Sequence, residues 1–598
     1  MKAYINSREC EFEQGESILA VARRNGFFIP SLCHFSPLNH TPGTCRVCLV
    51  QVTDEAGTRL VTSCDTPLSE GMQVNTYSSK VRERQRMQVE MILADHHQDC
   101  ASCTRHGDCE LQDLAEAVGL TRNRFANILQ KPAAGRVVDE SATAMFRDMT
   151  KCIRCLRCVT VCRDVQGVAA LTVDGKGLGS HIGVGMAPNH KSSACIQCGQ
   201  CILVCPTGSL GERDQNDTVL DYLASPDVTT VFSFAPSVRV LMGDEFGFAP
   251  GTNVEGKIVA ALRAIGADIV IDTDFAADVT IMEEGYELLG RIKNGGTLPM
   301  FTSCCPAWIN FAEKHIPDIL PHISSTRSPQ GIQGALVKSY LAEKMHLDPK
   351  RIKNISIMPC IAKKDEAARP QLARDGVPDN DVVISVREFS RLLRRLGVDF
   401  VSIPPEPFDN PFMSASTGAA VIFGTTGGVM EAAVRTVHAV LAGKELQGIV
   451  AKPLRGLEGV RTAELTLGPA GPVKLAICHG LRNARILAEE VLAGKSPYTF
   501  IEVMACPGGC IDGGGSSRIK GAYHPARARK QQSLYDLDHQ MTYRQSHNNP
   551  QIKLLYSSYL GEPNSEKAHH LLHTHYSDRQ DILTESIDEN KRRLTLTD

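Results

Sequence analysis

The sequence predicts a multidomain protein in which small cysteine-rich modules precede a large α/β domain with parallel strands. Three observations lead to this fold class. The chain has 598 residues, enough for several domains. Most of its 22 cysteines lie before residue 206, at tight spacings. From about residue 213, runs typical of buried strands alternate with helical stretches.

The composition is that of a soluble globular protein, with 42% hydrophobic and 22% charged residues. A formal net charge of −3 gives no indication of nucleic-acid binding. No apolar run approaches the roughly 20 residues that a transmembrane helix needs. The N-terminus lacks the apolar core of a signal peptide. We therefore expect a cytoplasmic protein without a membrane span, whose tightly spaced cysteines bind metal and do not form disulfides.

Residues 1–80 form the first predicted domain, which is small and rich in β-strand. Strands are expected at Lys2–Ile5, Cys48–Val52 and Leu60–Ser63, and a helix at Ser17–Asn25. The domain contains four closely placed cysteines, Cys33, Cys45, Cys48 and Cys64. Four thiolates on a loop-rich β domain suit a 2Fe–2S cluster, and a zinc site is the alternative that the residues leave open.

Residues 81–125 contain a predicted helix at 81–94 and then a short metal-binding segment. The segment has one histidine and three cysteines at tight spacings, namely His96, Cys100, Cys103 and Cys109. One imidazole and three thiolates hold either zinc or a 4Fe–4S cluster. His97 is adjacent, so the residues alone do not decide which histidine is the ligand.

Residues 126–212 contain two successive runs of Cys-x2-Cys-x2-Cys-x3-Cys, the pattern of a ferredoxin with two 4Fe–4S clusters. In that pattern the fourth cysteine of each run binds the cluster of the other run. One cluster would be held by Cys152, Cys155, Cys158 and Cys205. The other would be held by Cys195, Cys198, Cys201 and Cys162. The glycine-rich stretch 174–189 is expected to be a flexible insertion, because it lacks the glycine spacing of a dinucleotide site.

Residues 213–525 form the predicted α/β domain. Its candidate strands are Thr229–Phe234, Ile269–Asp272, Leu298–Phe301, Ile355–Ile357, Ala420–Phe423, Lys474–Ile477 and Phe500–Val503. Its candidate helices are Gly256–Ile265, Glu283–Lys293, Gln330–Lys344, Arg387–Leu396, Val429–Ala442 and Leu481–Leu492. This alternation predicts parallel sheet. Residues 526–598 follow as a polar, histidine-rich segment, expected to be a solvated or interface-facing helix with a frayed charged end.

Three of these predicted strands end just before cysteines. Cys304 and Cys305 follow the third strand, Cys360 the fourth, and Cys506 and Cys510 the last. Ligands of open α/β sheets bind at the carboxyl ends of the strands, where we expect these cysteines. Cys305, Cys360, Cys506 and Cys510 are enough for one 4Fe–4S cluster. Cys304 would then lie beside the cluster without binding it.

The chain resembles the FeFe hydrogenases, in the cytoplasmic form with a full ferredoxin-like N-terminal extension. The resemblance is carried by Thr302–Trp308, Met358–Glu366 and Glu502–Cys510, followed by a glycine triplet at 513–515. The N-terminal part is also similar to the cluster-bearing arm of a respiratory complex I subunit. Residues 526–580 look like the small subunit of the family. Ser517 stands where the family usually has proline, and we expect only a local effect on the loop.

The resemblance implies a β-grasp fold for the 2Fe–2S domain and a two-lobed catalytic domain. It implies one 2Fe–2S cluster, three accessory 4Fe–4S clusters and an H-cluster, and His96 as the histidine ligand. The H-cluster is a 4Fe–4S cluster joined to a di-iron unit that carries carbon monoxide, cyanide and dithiolate ligands. Cys510 would bridge its two halves.

The resemblance also assigns residues around the di-iron unit. Lys363 would donate to one cyanide, and a charged donor makes the stronger kind of hydrogen bond. The other cyanide would be lined by Ala235, Pro236, Ser237 and Gln330. Met358 and Met504 would pack against the di-iron unit as polarisable side chains.

A buried metal that reduces protons needs a proton relay from water. Cys304, beside the ligand Cys305, suits the last donor. By resemblance the relay continues through Glu284, Ser324 and Glu287, with Arg291 near its mouth. The two glutamates are three residues apart and share a helix face. A solvated helix face is the alternative for both.

The resemblance implies reversible hydrogen oxidation and proton reduction, with electrons relayed by the N-terminal clusters. The partner would be ferredoxin or a flavin subunit that handles NAD(P)H, because this chain has no convincing nucleotide fingerprint. Maturation enzymes would install the di-iron unit. The alternatives are a hydrogen sensor and a pure electron-transfer protein on the same scaffold. Cys304 argues against the first, and Lys363 with the Cys506/Cys510 pair argues against the second.

Overall fold

The computed structural model describes residues 1–125, 138–445, 454–466 and 471–581. Two predicted features fall largely outside these ranges. They are the beginning of the third predicted domain, at 126, and the charged end that was expected to fray. Within the described ranges, no helix is both long enough and apolar enough to cross a membrane.

Residues 2–75 form a five-stranded sheet with one helix. The strands are β1 (Lys2–Ile5), β2 (Arg8–Glu11), β3 (Leu49–Asp54), β4 (Gly57–Thr62) and β5 (Gln73–Asn75), in the order β2-β1-β5-β3-β4. β1 and β5 run parallel, and the other pairs are antiparallel. The helix is α1 (Ile18–Arg24), which begins where the Ser17 hydroxyl accepts from the Ala20 amide. The predicted β-rich domain with one helix is confirmed.

Two helices, α2 (Ser79–Ala94) and α3 (Glu110–Ala117), lead into the middle of the chain. The next elements are β6 (Val138–Asp139), β7 (Met145–Asp148), α4 (Arg157–Thr160), β8 (Thr172–Asp174), β9 (His181–Gly183), α5 (Gln200–Val204) and β10 (Leu210–Glu212). The stretch predicted as a flexible insertion instead contains β9, which pairs antiparallel with β8. Gly183 allows this hairpin, because a Cβ there would lie 1.4 Å from the Asp174 carboxylate.

The α/β region contains two sheets with parallel strands. The first consists of β11 (Thr229–Phe234), β12 (Ile269–Asp272), β14 (Ile352–Met358) and β17 (Val382–Ser385), in the order β12-β11-β14-β17. The second consists of β13 (Met300–Phe301), β18 (Val460–Thr466), β19 (Pro472–His479) and β20 (Phe500–Met504), in the order β13-β20-β19-β18. Only its edge strand β18 is antiparallel. A small hairpin pairs β15 (Ala373–Arg374) with β16 (Val377–Pro378). The prediction of parallel sheets is confirmed.

Helices pack around both sheets. They are α6 (Asn216–Ala224), α7 (Val238–Leu241), α8 (Glu255–Ala264), α9 (Thr273–Asn294), α10 (Pro306–His315), α11 (Pro329–Leu336), α12 (Ala342–Lys344), α13 (Ala362–Ala367), α14 (Val386–Arg395), α15 (Gly418–Val421), α16 (Gly428–Ala442) and α17 (Leu481–Leu492). The predicted helix Gln330–Lys344 is divided by a π turn at Val337–Leu341. The predicted strand Ala420–Phe423 is wrong. The Thr417 hydroxyl caps α15 there, and a short apolar run does not distinguish a strand from a buried helix.

The C-terminal segment packs against the α/β region through α18 (Arg527–Gln540), α19 (Pro550–Leu555) and α20 (Glu566–Leu572). Asp538 of α18 is buried and binds Arg435 of α16 at 2.8 Å. His569 and His570 are exposed, as the sequence predicted. His573 differs, because it is buried and its Nε2 lies 3.1 Å from Glu283 of α9.

Candidate active site

The cysteines that follow the predicted strands meet in one pocket between the two sheets. Cys360 follows β14 of the first sheet, whereas the other four follow β13 and β20 of the second. Cys304, Cys305, Cys360, Cys506 and Cys510 all line this cavity, which contains about 710 Å³ of empty space. The carboxyl ends of strands from both sheets therefore bring five thiols together.

The chemistry of these thiols fits an iron–sulfur cluster. Burial raises the pKa of Cys506 well above its usual range, and the neighbouring Cys360 and Cys305 raise it further. Burial also raises the pKa of Cys510 to about 12. Buried thiols that repel one another as thiolates ionise only beside a strong cation, and a coordinating metal deprotonates such thiols.

The loop after β20 requires glycine at two positions. Gly509 has a φ of +97°, and a Cβ there would lie 2.5 Å from the Thr426 nitrogen. A Cβ on Gly513 would lie 2.2 Å from the Pro359 carbonyl oxygen. Larger residues would separate the loop of Cys510 from the loop of Cys360.

The cavity wall contains six of the seven residues assigned by resemblance to the surroundings of the di-iron unit. These six are Ala235, Pro236, Gln330, Met358, Lys363 and Met504. Ser237 lies outside the wall, and its buried hydroxyl has no hydrogen-bond partner in the described part of the chain. Sequence reasoning missed Phe423 and Thr273, which also line the cavity. Phe423 fell in the wrongly predicted strand, and Thr273 begins α9 well before its predicted start.

Lys363 is held by three acceptors beside this cavity. Its ammonium donates to Ser328 Oγ at 2.7 Å, to Glu366 Oε2 at 2.8 Å and to the Cys304 carbonyl at 3.2 Å. Burial disfavours the charged amine, but the Glu366 carboxylate outweighs burial and the pKa of Lys363 is raised. Gln330 lies behind this group and donates to the Lys363 carbonyl at 3.1 Å. The pocket is therefore bordered by a fixed positive charge.

The predicted relay residues form a chain from the pocket outwards. Cys304 lies near Glu284, whose side chain is fully buried. The Ser324 hydroxyl interacts with Glu284 and donates to Glu287 Oε2 at 2.7 Å. The other Glu287 oxygen accepts from Arg291 at 2.7 Å. The alternative of a solvated helix face is wrong for Glu284.

The two glutamates of this chain differ in charge. Burial raises the pKa of Glu284 to about 8, and the Glu287 carboxylate raises it further. Burial also disfavours the charge of Glu287, but Arg291 and Ser324 outweigh it and lower the pKa of Glu287. A neutral acid thus lies beside a hydroxyl that donates to a carboxylate, and Oε2 of Glu284 has no hydrogen-bond partner among the described residues, an arrangement suited to proton transfer.

In the two-cluster region, the four cysteines expected to hold one cluster share a cavity wall. A second cavity, with about 350 Å³ of empty space, is lined by Cys152, Cys155, Cys158 and Cys205. Cys162, the fourth cysteine of the first run, is not in that wall. It lies instead near Cys198 and Cys201 of the second run.

In the first domain the four predicted thiols lie in two pairs. The Cys33 amide donates to the Cys45 sulfur at 3.4 Å, and the Cys48 and Cys64 thiols neighbour each other.

His96 and His97 have different surroundings. His96 Nδ1 is buried and has no hydrogen-bond partner among the described residues, whereas His97 is exposed. Burial lowers the pKa of His96 to about 4, so its ring is neutral, the form that binds metal. Among the three cysteines of this segment, Cys103 and Cys109 lie near each other.

The predicted cluster sites adjoin one another along the chain. A Cβ on Gly208, beside Cys205, would lie 2.4 Å from the Cys103 sulfur. A Cβ on Gly514, in the loop after Cys510, would lie 2.3 Å from the Cys198 carbonyl oxygen. The backbone at Gly208 therefore lies against the Cys103 sulfur, and the backbone at Gly514 lies against the backbone at Cys198. No side chain separates the neighbouring sites at these two points.

Family models match most of the chain. The iron only hydrogenase large subunit, C-terminal domain, matches residues 228–514, and the iron hydrogenase small subunit matches 524–579. Three iron–sulfur models match upstream. They are a 2Fe–2S cluster binding domain at 1–79, the NADH-ubiquinone oxidoreductase-G iron–sulfur binding region at 85–124 and a 4Fe–4S dicluster domain at 151–209.

Similar proteins extend over almost the whole length. The NADP-reducing hydrogenase subunit HndD of Solidesulfovibrio fructosivorans is 41% identical, over 96% of this chain and 98% of that protein. The chain belongs to the FeFe hydrogenase family. Iron hydrogenase 1 of Clostridium pasteurianum is 36% identical, over 96% of this chain and 99% of that protein. A structure of the FeFe-hydrogenase HydA1 from Chlamydomonas reinhardtii shares 38% identity, with a TM-score of 0.55 over 61% of this chain and 99% of that one.

This membership confirms the function predicted from the sequence. The protein is a hydrogenase that oxidises hydrogen and reduces protons, with electrons relayed by its N-terminal clusters. Iron–sulfur clusters of the 2Fe–2S and 4Fe–4S types belong to it, and its large domain is an H-cluster domain. The alternatives of a hydrogen sensor and a pure electron-transfer protein are not favoured.

Proposed function

We propose that Cys305, Cys360, Cys506 and Cys510 hold the 4Fe–4S half of the H-cluster, with Cys510 also joining the di-iron unit. The observation that carries this proposal is the convergence of these buried thiols on one cavity from two sheets. When bound, the H-cluster supplies the redox chemistry of hydrogen. The chain supplies the shape and charge of the pocket.

The wall of the cavity positions the di-iron unit. Lys363 provides a charged donor for an anionic ligand, because Glu366 and Ser328 hold its ammonium in place. Gln330 keeps its amide oxygen unpaired in the described structure, and Ser237 keeps its hydroxyl unpaired close behind the wall. Ala235, Pro236, Met358 and Met504 supply apolar or polarisable contact.

Protons reach the pocket through Cys304. The raised pKa of its thiol keeps the proton on sulfur until the reaction requires it. Glu284, which is also protonated at neutral pH, then restores that proton. Ser324 and Glu287 connect Glu284 to the partly exposed Arg291.

The accessory clusters complete the electron path. One 2Fe–2S cluster, in a β-grasp domain at 1–80, is held by Cys33, Cys45, Cys48 and Cys64. One 4Fe–4S cluster, in segment 81–125, is held by His96, Cys100, Cys103 and Cys109. Two more, in domain 126–212, are held by the two sets of four cysteines predicted from the ferredoxin pattern. The H-cluster domain spans 213–525, and the small-subunit-like segment with its tail spans 526–598.

Electrons are exchanged with ferredoxin or with a flavin subunit that handles NAD(P)H. The name of the S. fructosivorans relative, an NADP-reducing hydrogenase subunit, supports the second partner. The match of residues 85–124 to an NADH-ubiquinone oxidoreductase region supports it as well. Maturation enzymes install the di-iron unit, and the working protein is cytoplasmic.

The test uses full-length protein matured with its di-iron unit. We expect hydrogen evolution from reduced methyl viologen, and none from protein that carries only its iron–sulfur clusters. Reduced ferredoxin, and NAD(P)H with a flavin subunit, are then compared as donors. Matured protein with a full complement of iron but no hydrogen evolution would overturn the proposal.

A further inference from the structure

One buried arginine contacts three of the cluster-binding modules. Arg157 lies in the first cysteine run of the two-cluster domain and is 2% exposed. Its guanidinium donates to both Glu110 oxygens, at 3.0 and 2.9 Å. It also donates to the carbonyl of Leu32 and, at 3.5 Å, to that of Val204.

Each of these partners is adjacent in sequence to a proposed cluster ligand. Leu32 precedes Cys33, Glu110 follows Cys109 and Val204 precedes Cys205. Arg157 itself precedes Cys158. One guanidinium therefore joins the ligand loops of the 2Fe–2S domain, the histidine-containing segment and the two-cluster domain.

The position of this guanidinium is fixed on several sides. The Phe35 ring packs against it, with its centroid 4.5 Å from the guanidinium carbon. The paired hydrogen bonds to Glu110 need the flat fork of arginine, which lysine lacks. Glu110 also lies 3.6 Å from Arg518, so its carboxylate is held from a second direction.

We propose that Arg157 is a positioning residue that couples the two N-terminal clusters to the cluster of Cys152, Cys155, Cys158 and Cys205. This inference rests on the proposed ligand sets. The guanidinium fork of Arg157 sets the separation of the three ligand loops. Its buried charge stabilises the reduced form of the nearby cluster, because reduction adds negative charge. Electrons from hydrogen oxidation would then leave the cluster beside Arg157 by two outward routes, one to each N-terminal cluster.

A second buried arginine, Arg105, connects only the histidine-containing segment with the two-cluster domain. Arg105 belongs to the histidine-containing segment and is 6% exposed. It donates to Asp108 at 2.8 Å and to the Cys205 carbonyl at 2.5 Å. None of its hydrogen bonds in the described structure reaches the 2Fe–2S domain. Arg105 thus provides a variant that should disturb one route and leave the other intact.

The experiment uses hydrogen as the reductant of the matured full-length protein. Rapid freeze-quench with electron paramagnetic resonance follows the arrival of electrons at each cluster. We expect Arg157→Gln to delay reduction of both N-terminal clusters about tenfold, the factor that loss of one charged hydrogen bond can produce. The midpoint potential of the Cys152–Cys155–Cys158–Cys205 cluster should also fall. Arg105→Gln should delay only the histidine-ligated cluster.

Arg163→Gln is the matched control, because Arg163 is adjacent to Cys162 but has a side chain that is 61% exposed. It should change neither arrival times nor potentials. Arg157→Lys should keep the midpoint potential near that of the parent but still delay both N-terminal clusters. A purely structural role would lower the stability of cluster-replete Arg157→Gln without moving the midpoint potential or the arrival times, and that result would overturn the inference.

Iron content and cluster signals of the parent separate this inference from the proposed function. Absence of those clusters from the parent would contradict the proposed ligand sets. If Arg157→Gln fails to retain its clusters, Phe35→Leu replaces it. This variant loses the ring against the guanidinium, together with the contact of that ring with Tyr523, and should give a smaller delay at both clusters. The role of Arg157 would be overturned if electrons reached both N-terminal clusters of cluster-replete Arg157→Gln as fast as in the parent. The same result in Phe35→Leu would overturn it where Phe35→Leu is used instead.

Discussion

Two adjacent cysteines have different properties in this pocket because their neighbours differ. Burial raises the pKa of both thiols. Backbone amides of Ala505 and Trp308 and the charge of Lys363 oppose that rise at Cys305. At Cys304 the neighbouring Glu284 opposes ionisation and raises the pKa of the thiol further. Cys305 is therefore the better thiolate ligand and Cys304 the better proton carrier.

Cys304→Ser should leave the H-cluster assembled but lower turnover by about 10²–10⁴-fold, the usual effect of losing a positioned proton donor. Infrared spectra report assembly, and hydrogen evolution from reduced methyl viologen reports turnover. The control is Cys10→Ser, since Cys10 is buried in the core of the first domain and its thiol donates to the backbone carbonyl of Arg8, away from the active-site cavity. Full activity in Cys304→Ser would refute its role in the relay.

Glu284 should give the relay a pH dependence. Because its pKa is about 8, the acid form is lost as pH rises through that value, and hydrogen evolution should fall with it. Glu284→Gln cannot pass a proton and should have low turnover without a step in this range. Hydrogen evolution measured from about pH 6 to about pH 10 tests this. A Gln variant with the parental rate and profile would exclude Glu284 from the relay.

At the scale of elements, some amphipathic helices were predicted closely, whereas short elements and the first half of the longest helix, α9, were missed. The predicted helix Leu481–Leu492 coincides with α17, and Val429–Ala442 differs from α16 by one residue at its start. By contrast, β17 and β18 were missed, and the run at 420–423 proved helical. In such short segments tertiary packing decides the conformation, and the sequence carries no measurable period.

Contacts made by tertiary packing also limited what the sequence could predict about the pocket. Spacing predicts thiols at strand ends, and those residues do converge. Ser328 holds Lys363 from the start of α11 and lies outside the signature segments, whereas Glu366 ends one of those segments but was assigned no role from it. Phe423 lines the cavity only because α15 and the turn after it pack beside β20. Such contacts depend on the fold and were not visible as a pattern.

The 4Fe–4S cluster proposed for the segment between α2 and α3 should depend on one histidine ligand, His96. His96→Ala should change the spectrum of the 4Fe–4S cluster of that segment, because an imidazole ligand sets its potential. Hydrogen evolution with an artificial donor should persist. Electron paramagnetic resonance of reduced protein is the measurement, and His97→Ala is the matched control. The ligand would be His97 if only the control changed the spectrum.

In the whole molecule, modules that bind clusters lie against each other and against the two-sheet domain. The C-terminal segment packs against α9, where Asn549 donates to the buried Asp278 at 2.9 Å. Asp278 and Glu284 lie on the same helix and have raised pKa values, about 7 and about 8, chiefly because of burial. Both are protonated in the folded protein at pH values where the unfolded chain is ionised.

This difference makes stability depend on pH. The stabilisation from these acids is fully present below their unfolded pKa values and is lost as pH rises through about 7 and about 8. Asp278→Asn should remove the share of this pH-dependent loss of stability that comes from Asp278. Relative to the parent, its melting temperature should fall less between about pH 6 and about pH 9, by roughly 1 °C. Equal slopes in calorimetric scans of the two proteins would contradict the protonation of Asp278.

The assignment of the H-cluster to four cysteines from two sheets is tested most directly by the infrared spectrum of matured Cys510→Ala. The parent should show carbon monoxide and cyanide bands from the di-iron unit. We predict that Cys510→Ala lacks those bands and retains the spectra of its N-terminal clusters. Bands of parental intensity in Cys510→Ala would show that the di-iron unit is held without Cys510 and would contradict the proposed site.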